Sequence, residues 1–266
     1  MTRAAPARLL IAIALACLAG ALGLRAGHLD RALFLAINDA AWRWVPPALL
    51  SCVTILGHGL VTTMLLAPTL LRGPHVLVAG LFATPVALVL SWLPKALIDS
   101  PRPAAVLEPA SIHIVGMRLA AHNSFPSGHA ITAFLMVGVL LTAERTARLR
   151  WPATVGIALT GIAVAASRIG VGAHWPSDVL AGAGLGLVAG VAGAQAQRRW
   201  PISSPAARLA LALVVLTCAG TLAQIDVGYP MARRLQLALA AGGGLVAVIA
   251  LWRAWAARTR AARKPG

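Results

Sequence analysis

Apolar runs of about twenty residues recur along almost the whole chain, and this recurrence limits the possible folds more than any other feature. Only 11% of the 266 residues are charged, whereas charged residues make up about a quarter of an average soluble domain. Because a helix needs roughly 20 apolar residues to cross a bilayer, the pattern predicts an integral membrane protein. Eight spans are expected, near residues 8–25, 47–71, 75–96, 126–143, 152–170, 178–197, 206–225 and 235–254.

These spans predict an all-α, polytopic transmembrane helical bundle. Residues 1–27 are expected to form an uncleaved N-terminal anchor rather than a secretory signal, because further spans follow. Residues 28–197 would form the core, and 28–45 within it has the helical spacing of an amphipathic helix lying in the interface. Residues 198–266 would add two C-terminal spans and a basic cytoplasmic tail. The Ala- and Gly-rich runs at 181–184 and 241–244 favour close helix packing.

The net charge of +16 is unevenly distributed between the two sides of the predicted bundle. One side carries fourteen Lys and Arg residues with a single acid, Glu144, and the other carries nine Lys and Arg with six acids. Because basic residues concentrate in cytoplasmic loops, both termini are expected in the cytoplasm. Topology and anionic lipid therefore account for the charge, and no nucleic-acid partner is expected.

Three clusters of polar residues lie at the ends of predicted spans. They run from Lys95 to Pro103, from Pro126 to His129 and from Ser167 to Asp178. The alternating topology places all these ends on the non-cytoplasmic side, so the clusters can form one site at the membrane surface. The charged and imidazole groups of that site suit a phosphate ligand. They are Lys95, Arg102, His129, Arg168, His174 and Asp178.

The spacing within the clusters predicts specific roles. Pro126 favours a helix start, which would place Ser127, Gly128 and His129 in a first turn whose free amides attract anions. His174 and Asp178 are four residues apart, so the carboxylate can hold one imidazole nitrogen and present the other as a nucleophile.

Each of these residues also has a structural interpretation when it is considered alone. Lys95 and Arg102 could extend to the interface as ordinary basic residues, and His174 with Asp178 could cap a helix. Their convergence on one side favours a functional site. A dinuclear metal site is not expected, because cations outnumber carboxylates there.

Other polar residues have weaker patterns. His58, in the middle of a span, is expected to be a packed neutral histidine. Asp99 and Glu108 are expected to be structural or solvated, although Asp99 could pair with Lys95 or Arg102. The long loop 97–125 carries His113, His122 and Asn123, which could reach a substrate. Its apolar residues are expected to rest on the interface and cover a lipid headgroup, and they are Ile112, Ile114, Val115 and Met117.

The three clusters together resemble the three-part signature of the type 2 phosphatidic acid phosphatase superfamily. The parts are KALIDSPRP at 95–103, PSGH at 126–129 and SRIGVGAHWPSD at 167–178. The resemblance covers residues 30–195 and implies a six-helix core, here extended by about two C-terminal spans. It implies that His174 attacks phosphorus, Asp178 orients His174 and His129 protonates the leaving oxygen. The implied phosphate ligands are Lys95, Arg102, Ser127, Gly128 and Arg168.

The resemblance further implies a metal-independent lipid phosphatase with no cofactor. Its expected place is the bacterial inner membrane, with the active site facing the periplasm. The candidate substrates are an isoprenoid diphosphate such as undecaprenyl diphosphate, a phosphatidic acid-type lipid and a lipid A-type phosphate, with a weak preference for the first. A lipid phosphotransferase using the same histidine and a transporter are the alternatives, and a homo-oligomer is left open.

Overall fold

The computed structural model describes residues 5–143, 151–202 and 204–262, and these residues form helices and loops without a β-strand. Glu144 and the basic residues up to Arg150 lie outside the described residues, as do 263–266. The helices are α1 (Ala5–Ala26), α2 (Asp30–Trp44), α3 (Pro47–Ile55), α4 (Gly59–Leu66), α5 (His75–Leu97), α6 (Pro103–Val106), α7 (Gly128–Thr142), α8 (Trp151–Gly170), α9 (Pro176–Arg199), α10 (Pro205–Gln224) and α11 (Arg233–Ala262).

The helices confirm the all-α polytopic bundle. Among the described residues, six helices are long and apolar enough to cross a membrane. They are α1, α5, α8, α9, α10 and α11. The predicted span 126–143 is the apolar helix α7, which has only 15 residues, and is thus shorter than a typical spanning helix.

The predicted span at 47–71 is divided into α3 and α4, which meet at a 73° bend. Gly57 lies at this bend and packs closely against α7, since a Cβ added there would lie 2.9 Å from Cβ of His129. The helix interruption also frees backbone carbonyls, and the hydroxyl of Thr62 donates a 3.0 Å hydrogen bond to the carbonyl of Leu56. The bend brings His58 towards α7.

Helix α9 lies at the centre of the bundle and contacts α1, α5 and α7. Its glycines allow this close approach, since a Cβ at Gly182 would lie 2.6 Å from the carbonyl oxygen of Ser127. Gly184 packs in the same way against α1. The Ala- and Gly-rich run at 181–184 therefore allows the close helix packing that its composition predicted. In the second run, Gly243 packs against Met64 of α4 and so joins α11 to the bundle.

The long loop between α5 and α7 is folded against the protein rather than spread over the interface. Its segments pair through backbone hydrogen bonds from Ser100 to His122, from Arg102 to Ala121 and from Ser124 to Ser100. Ile112 and Val115 are 7% and 4% exposed, so the expectation that they rest on the interface is wrong. Asn38 of α2 accounts for this, because its side chain bonds both the N–H and the carbonyl of His113.

Candidate active site

The three polar clusters meet where four helix ends converge. Lys95 lies at the end of α5, Ser127 to His129 begin α7, and Arg168 lies near the end of α8. His174 is in the short loop that follows, and Asp178 is in the first turn of α9. The structure thus brings together all eight residues that the sequence suggested for one site.

The imidazole of His174 is buried, with 3% of the residue exposed, and its two nitrogens face different partners. Nδ1 lies 3.5 Å from Oδ2 of Asp178 and 3.4 Å from Oγ of Ser124. Nε2 lies 3.2 Å from Nη1 of Arg102. One nitrogen therefore faces the carboxylate and the other faces the cations, as a phosphate-directed nucleophile requires.

Ser124 is a site residue that the sequence reasoning missed. It is completely buried, and its hydroxyl donates a 2.5 Å hydrogen bond to Oδ2 of Asp178. The same oxygen accepts a 3.0 Å bond from the backbone N–H of Trp175. The hydroxyl of Ser124 therefore lies between the two side chains, bonded to Asp178 and 3.4 Å from Nδ1 of His174. The only signal for Ser124 in the sequence was its place two residues before Pro126, where the second polar cluster begins.

Two cations are held by backbone oxygens around the start of α7. Nζ of Lys95 donates to the carbonyls of Asn123 at 2.9 Å and of Pro126 at 2.7 Å. Nη1 of Arg102 donates to the carbonyl of Ala173 at 3.0 Å, and its Nε donates to Oδ1 of Asn123 at 3.3 Å. Arg102 thereby lies beside Nε2 of His174, and Lys95 is close enough for its charge to act on that imidazole.

Arg168 is the third cation and is almost entirely enclosed, with 2% of the residue exposed. Its Nη1 donates to Oγ1 of Thr54 and to Oη of Tyr229, both at 2.6 Å. Its Nε is buried and has no hydrogen-bond partner. A buried donor without a partner is costly, so this nitrogen is suited to an anionic oxygen.

Helix α7 begins at Gly128, two residues later than the sequence suggested. Ser127 is its N-cap, and its hydroxyl accepts a 3.5 Å hydrogen bond from the N–H of Ala130. The first-turn amides of a helix have no partner within the helix and favour anions. A Cβ at Gly128 would find its nearest neighbour, Oγ of Ser91, at 3.8 Å, so the backbone is open to a ligand there.

His129 and Gly128 border a cavity of about 350 Å³ between α4, α5 and α7. Apolar side chains such as Leu66, Leu81 and Leu135 form much of its wall. His58 also lines it, and the rings of His58 and His129 are 6.2 Å apart. His58 therefore lies near the site because of the bend between α3 and α4, which its sequence position did not indicate.

The charges of the site affect its titration. Burial and the nearby cations Arg102, Arg168 and Lys95 hold the pKa of His174 well below its usual value. Its imidazole is thus neutral at neutral pH and carries the lone pair that attack on phosphorus needs. Burial, followed by repulsion from Arg168, also lowers the pKa of Arg102.

The remaining loop candidates divide into two groups. Asp99 pairs with Nδ1 of His122 at 2.9 Å in the exposed loop, rather than with Lys95 or Arg102. His113 stacks on Trp42, with ring centroids 4.8 Å apart, and is thereby turned to α2. Of these loop residues, Asn123 alone contacts the site, through Lys95 and Arg102.

In the described part of the chain, no three His, Cys, Asp or Glu side chains are grouped to share a metal ion.

A bundle of membrane-length helices with a buried histidine and cations at its helix ends defines a polytopic membrane protein with a candidate oxyanion site. The sequence profile of the PAP2 superfamily matches residues 74–202. This match supports membership of the type 2 phosphatidic acid phosphatase superfamily.

Two relatives extend this comparison. A lipid A 1-phosphatase of Porphyromonas gingivalis is 42% identical over 76 residues, which are 27% of this chain and 16% of that protein. The chain therefore spans only a small part of that relative. The crystal structure of Aquifex aeolicus LpxE superposes with a TM-score of 0.55 at 27% identity, covering 63% of this chain and 95% of that one.

Proposed function

We propose that this protein is a membrane lipid phosphatase in which His174 is the nucleophile. The observation that supports this most strongly is the orientation of the His174 ring. Nδ1 is turned to Asp178 and Ser124, and Nε2 is turned to Arg102. Nε2 would form a bond to phosphorus as the bond from phosphorus to the lipid oxygen breaks. His129 would give its proton to that leaving oxygen.

Water would complete the reaction by attacking the phosphohistidine, with His129 as the base that accepts the water proton. The bond between Nε2 and phosphorus then breaks, which releases phosphate and restores His174. Asp178 would hold Nδ1 and stabilise the positive imidazole ring, as the third member of a catalytic triad does. Lys95, Arg102, Arg168, the Ser127 hydroxyl and the Gly128 amide would offset the charge on the phosphate oxygens.

The surroundings of the site favour a lipid-linked phosphate. The residues lie at helix ends, where a headgroup would sit, and the cavity beside His129 has mainly apolar walls. The relative from Porphyromonas gingivalis favours a lipid A-type phosphate, while the compact loops around the site, which offer no large domain for a bulky sugar headgroup, favour a smaller isoprenoid diphosphate. We place the lipid A-type phosphate first, because that similarity includes a named substrate and the loop argument does not.

A phosphate-release panel with purified protein tests this function. It should include a lipid A-type phosphate, an isoprenoid diphosphate, phosphatidic acid and glucose phosphate, with His174→Ala as the inactive reference. We expect kcat/KM to be far higher for the lipids than for glucose phosphate. Equal efficiency on glucose phosphate would contradict lipid specificity. Phosphate appearing on a second lipid, rather than in solution, would identify a phosphotransferase.

The proposed orientation places the site at the periplasmic face of the inner membrane. The surplus of basic residues on the opposite side supports it. A reporter fused near Glu108 should give a periplasmic signal, and one fused near Arg148, which lies outside the described residues, a cytoplasmic one. The reverse pattern would move the site to the cytoplasmic face and change the lipids available to it.

A further inference from the structure

Tyr229 lies in the loop between α10 and α11, beyond the residues that the family profile matches. It is the only tyrosine in the chain, and just 5% of it is exposed. Its hydroxyl accepts a 2.6 Å hydrogen bond from Nη1 of Arg168. A residue of the C-terminal extension therefore reaches a cation of the candidate active site.

The two hydroxyls on Arg168 determine where its free nitrogen points. Tyr229 and Thr54 both accept from Nη1, each at 2.6 Å, which uses both hydrogens of that nitrogen. Because a guanidinium is planar and rigid, fixing Nη1 from two sides also fixes the direction of Nε. That Nε is buried without a partner, so it is oriented in advance for a phosphate oxygen.

Tyr229 is itself held in place by the long loop that carries Arg102. The N–H of Met117 donates to the carbonyl of Gly228 at 2.9 Å. A Cβ added at Gly116 would lie 2.6 Å from Cδ1 of Tyr229, and Gly116 has a φ of +81° that favours glycine. The loop and the extension thus interlock beside the site.

Side chains of α11 also stabilise the loop that bears Tyr229. Arg233 donates to the carbonyls of Ile225 and Ala223 at 2.8 and 2.7 Å. The side-chain amide of Gln236 donates to the carbonyl of Leu222 at 2.6 Å. These bonds satisfy the last carbonyls of α10, which have no partners within that helix, and they limit movement of Tyr229.

We propose that Tyr229 is a positioning residue for phosphate binding, acting with Thr54 through Arg168. This makes the helix pair α10–α11 part of the working site rather than an appendage to a core ending at residue 197. The proposal rests on the proposed function in one respect, that Arg168 binds the substrate phosphate. The ligand class is a tetrahedral oxyanion, either a lipid phosphate or free orthophosphate.

Kinetics of Tyr229→Phe and Thr54→Val provide the first test. Each variant removes one hydroxyl but keeps its shape, and Thr160→Val on α8 is the matched control because the Thr160 hydroxyl bonds only within its helix. We expect Tyr229→Phe to lower kcat about tenfold with little change in KM, since bonds to charged groups are strong. The vanadate inhibition constant should rise by a similar factor.

A purely structural role for Tyr229 would give a different result. It would lower Tm and the active fraction while the remaining enzyme kept its vanadate affinity. Wild-type kcat and vanadate affinity in both hydroxyl variants would overturn the proposal. If Tyr229→Phe fails to fold, kcat and vanadate affinity of Thr54→Val test the proposal instead, because Thr54 accepts from the same nitrogen of Arg168.

The single tyrosine allows a second test that needs no turnover. Protein labelled with 3-fluorotyrosine should give one fluorine NMR signal, and orthophosphate should shift it saturably in wild type but not in Arg168→Ala. No shift in protein that orthophosphate inhibits would overturn the inference and leave the proposed function intact. A saturable shift in protein that hydrolyses no lipid phosphate would contradict the proposed function and support the inference.

Discussion

The hydroxyl of Ser124 donates a 2.5 Å hydrogen bond to Oδ2 of Asp178, and both residues are completely buried. The same hydroxyl lies 3.4 Å from Nδ1 of His174. The proposed nucleophile is therefore oriented by a pair of residues on different segments rather than by Asp178 alone. Several consequences can be measured.

Ser124→Ala should lower kcat about 10- to 100-fold and leave KM nearly unchanged. The substitution removes one of the groups that orient His174 and leaves Asp178 short of a hydrogen bond, while the phosphate ligands stay in place. Steady-state kinetics on the best lipid substrate would measure the effect. Ser111→Ala is the matched control, since its exposed hydroxyl bonds the carbonyl of Glu108 in the same loop. A Ser124→Ala enzyme with wild-type kcat would contradict this role.

His129→Ala should separate the two halves of the reaction. With a substrate whose leaving group needs no proton, we expect phosphorylated protein to form and persist, because His129 would also activate the water. With an ordinary lipid phosphate, the first step itself should be slow. Acid-quenched trapping of labelled phosphate would measure both. His174→Ala should trap no label with either substrate, and label in that variant would refute the nucleophile.

Asp178→Asn should lower kcat by roughly 10⁴-fold if Asp178 acts as the third member of a triad does. The amide preserves the size of the side chain but cannot stabilise the positive imidazole ring. Single-turnover rates at saturating lipid would measure the loss. Asp99→Asn is the control, because Asp99 pairs with His122 in the outer loop. A fall of less than tenfold in Asp178→Asn would exclude a triad-like role.

His174 should make stability depend on pH. Its pKa in the folded protein lies well below its usual value because of burial and three nearby cations, whereas in the unfolded chain it returns to about 6.5. Between these two values the unfolded chain binds more protons. Stability is therefore complete above about pH 6.5 and is lost as the pH falls towards the lower folded value, by up to about 1.4 kcal/mol per pH unit.

Thermal unfolding of purified protein from pH 8 to pH 5 would measure this dependence. His174→Asn should flatten the fall in Tm below pH 6.5, because the amide takes up no proton. His122→Asn, at an exposed loop position, should leave the slope unchanged. An identical slope in wild type and His174→Asn would show that His174 contributes no such linkage.

Activity should survive EDTA and be inhibited by vanadate. Lys95, Arg102 and Arg168 offset phosphate charge without a metal, and vanadate resembles a five-coordinate phosphoryl group. Arg102→Gln should weaken vanadate inhibition at least tenfold, since it removes a donor beside Nε2 of His174. Activity that is lost in EDTA and restored by Mg²⁺ would contradict this expectation.

The sequence alone determined the helical bundle and the general place of the site. Both depend on local patterns, because an apolar run long enough to cross a bilayer must satisfy its backbone within a helix. The ends of such helices then place residues such as Lys95 and Arg168 on one side. Alternating topology was enough to predict that these clusters meet.

Only the tertiary structure decided which side chains orient the reactive groups. Ser124, Thr54 and Tyr229 are ordinary hydroxyl residues with no distinctive spacing, and each becomes important through a contact far away in sequence. The bend after Ile55 and the close approach at Gly116 arise from packing between helices and loops. Local periodicity does not encode such packing, because it depends on which surfaces meet when the bundle closes.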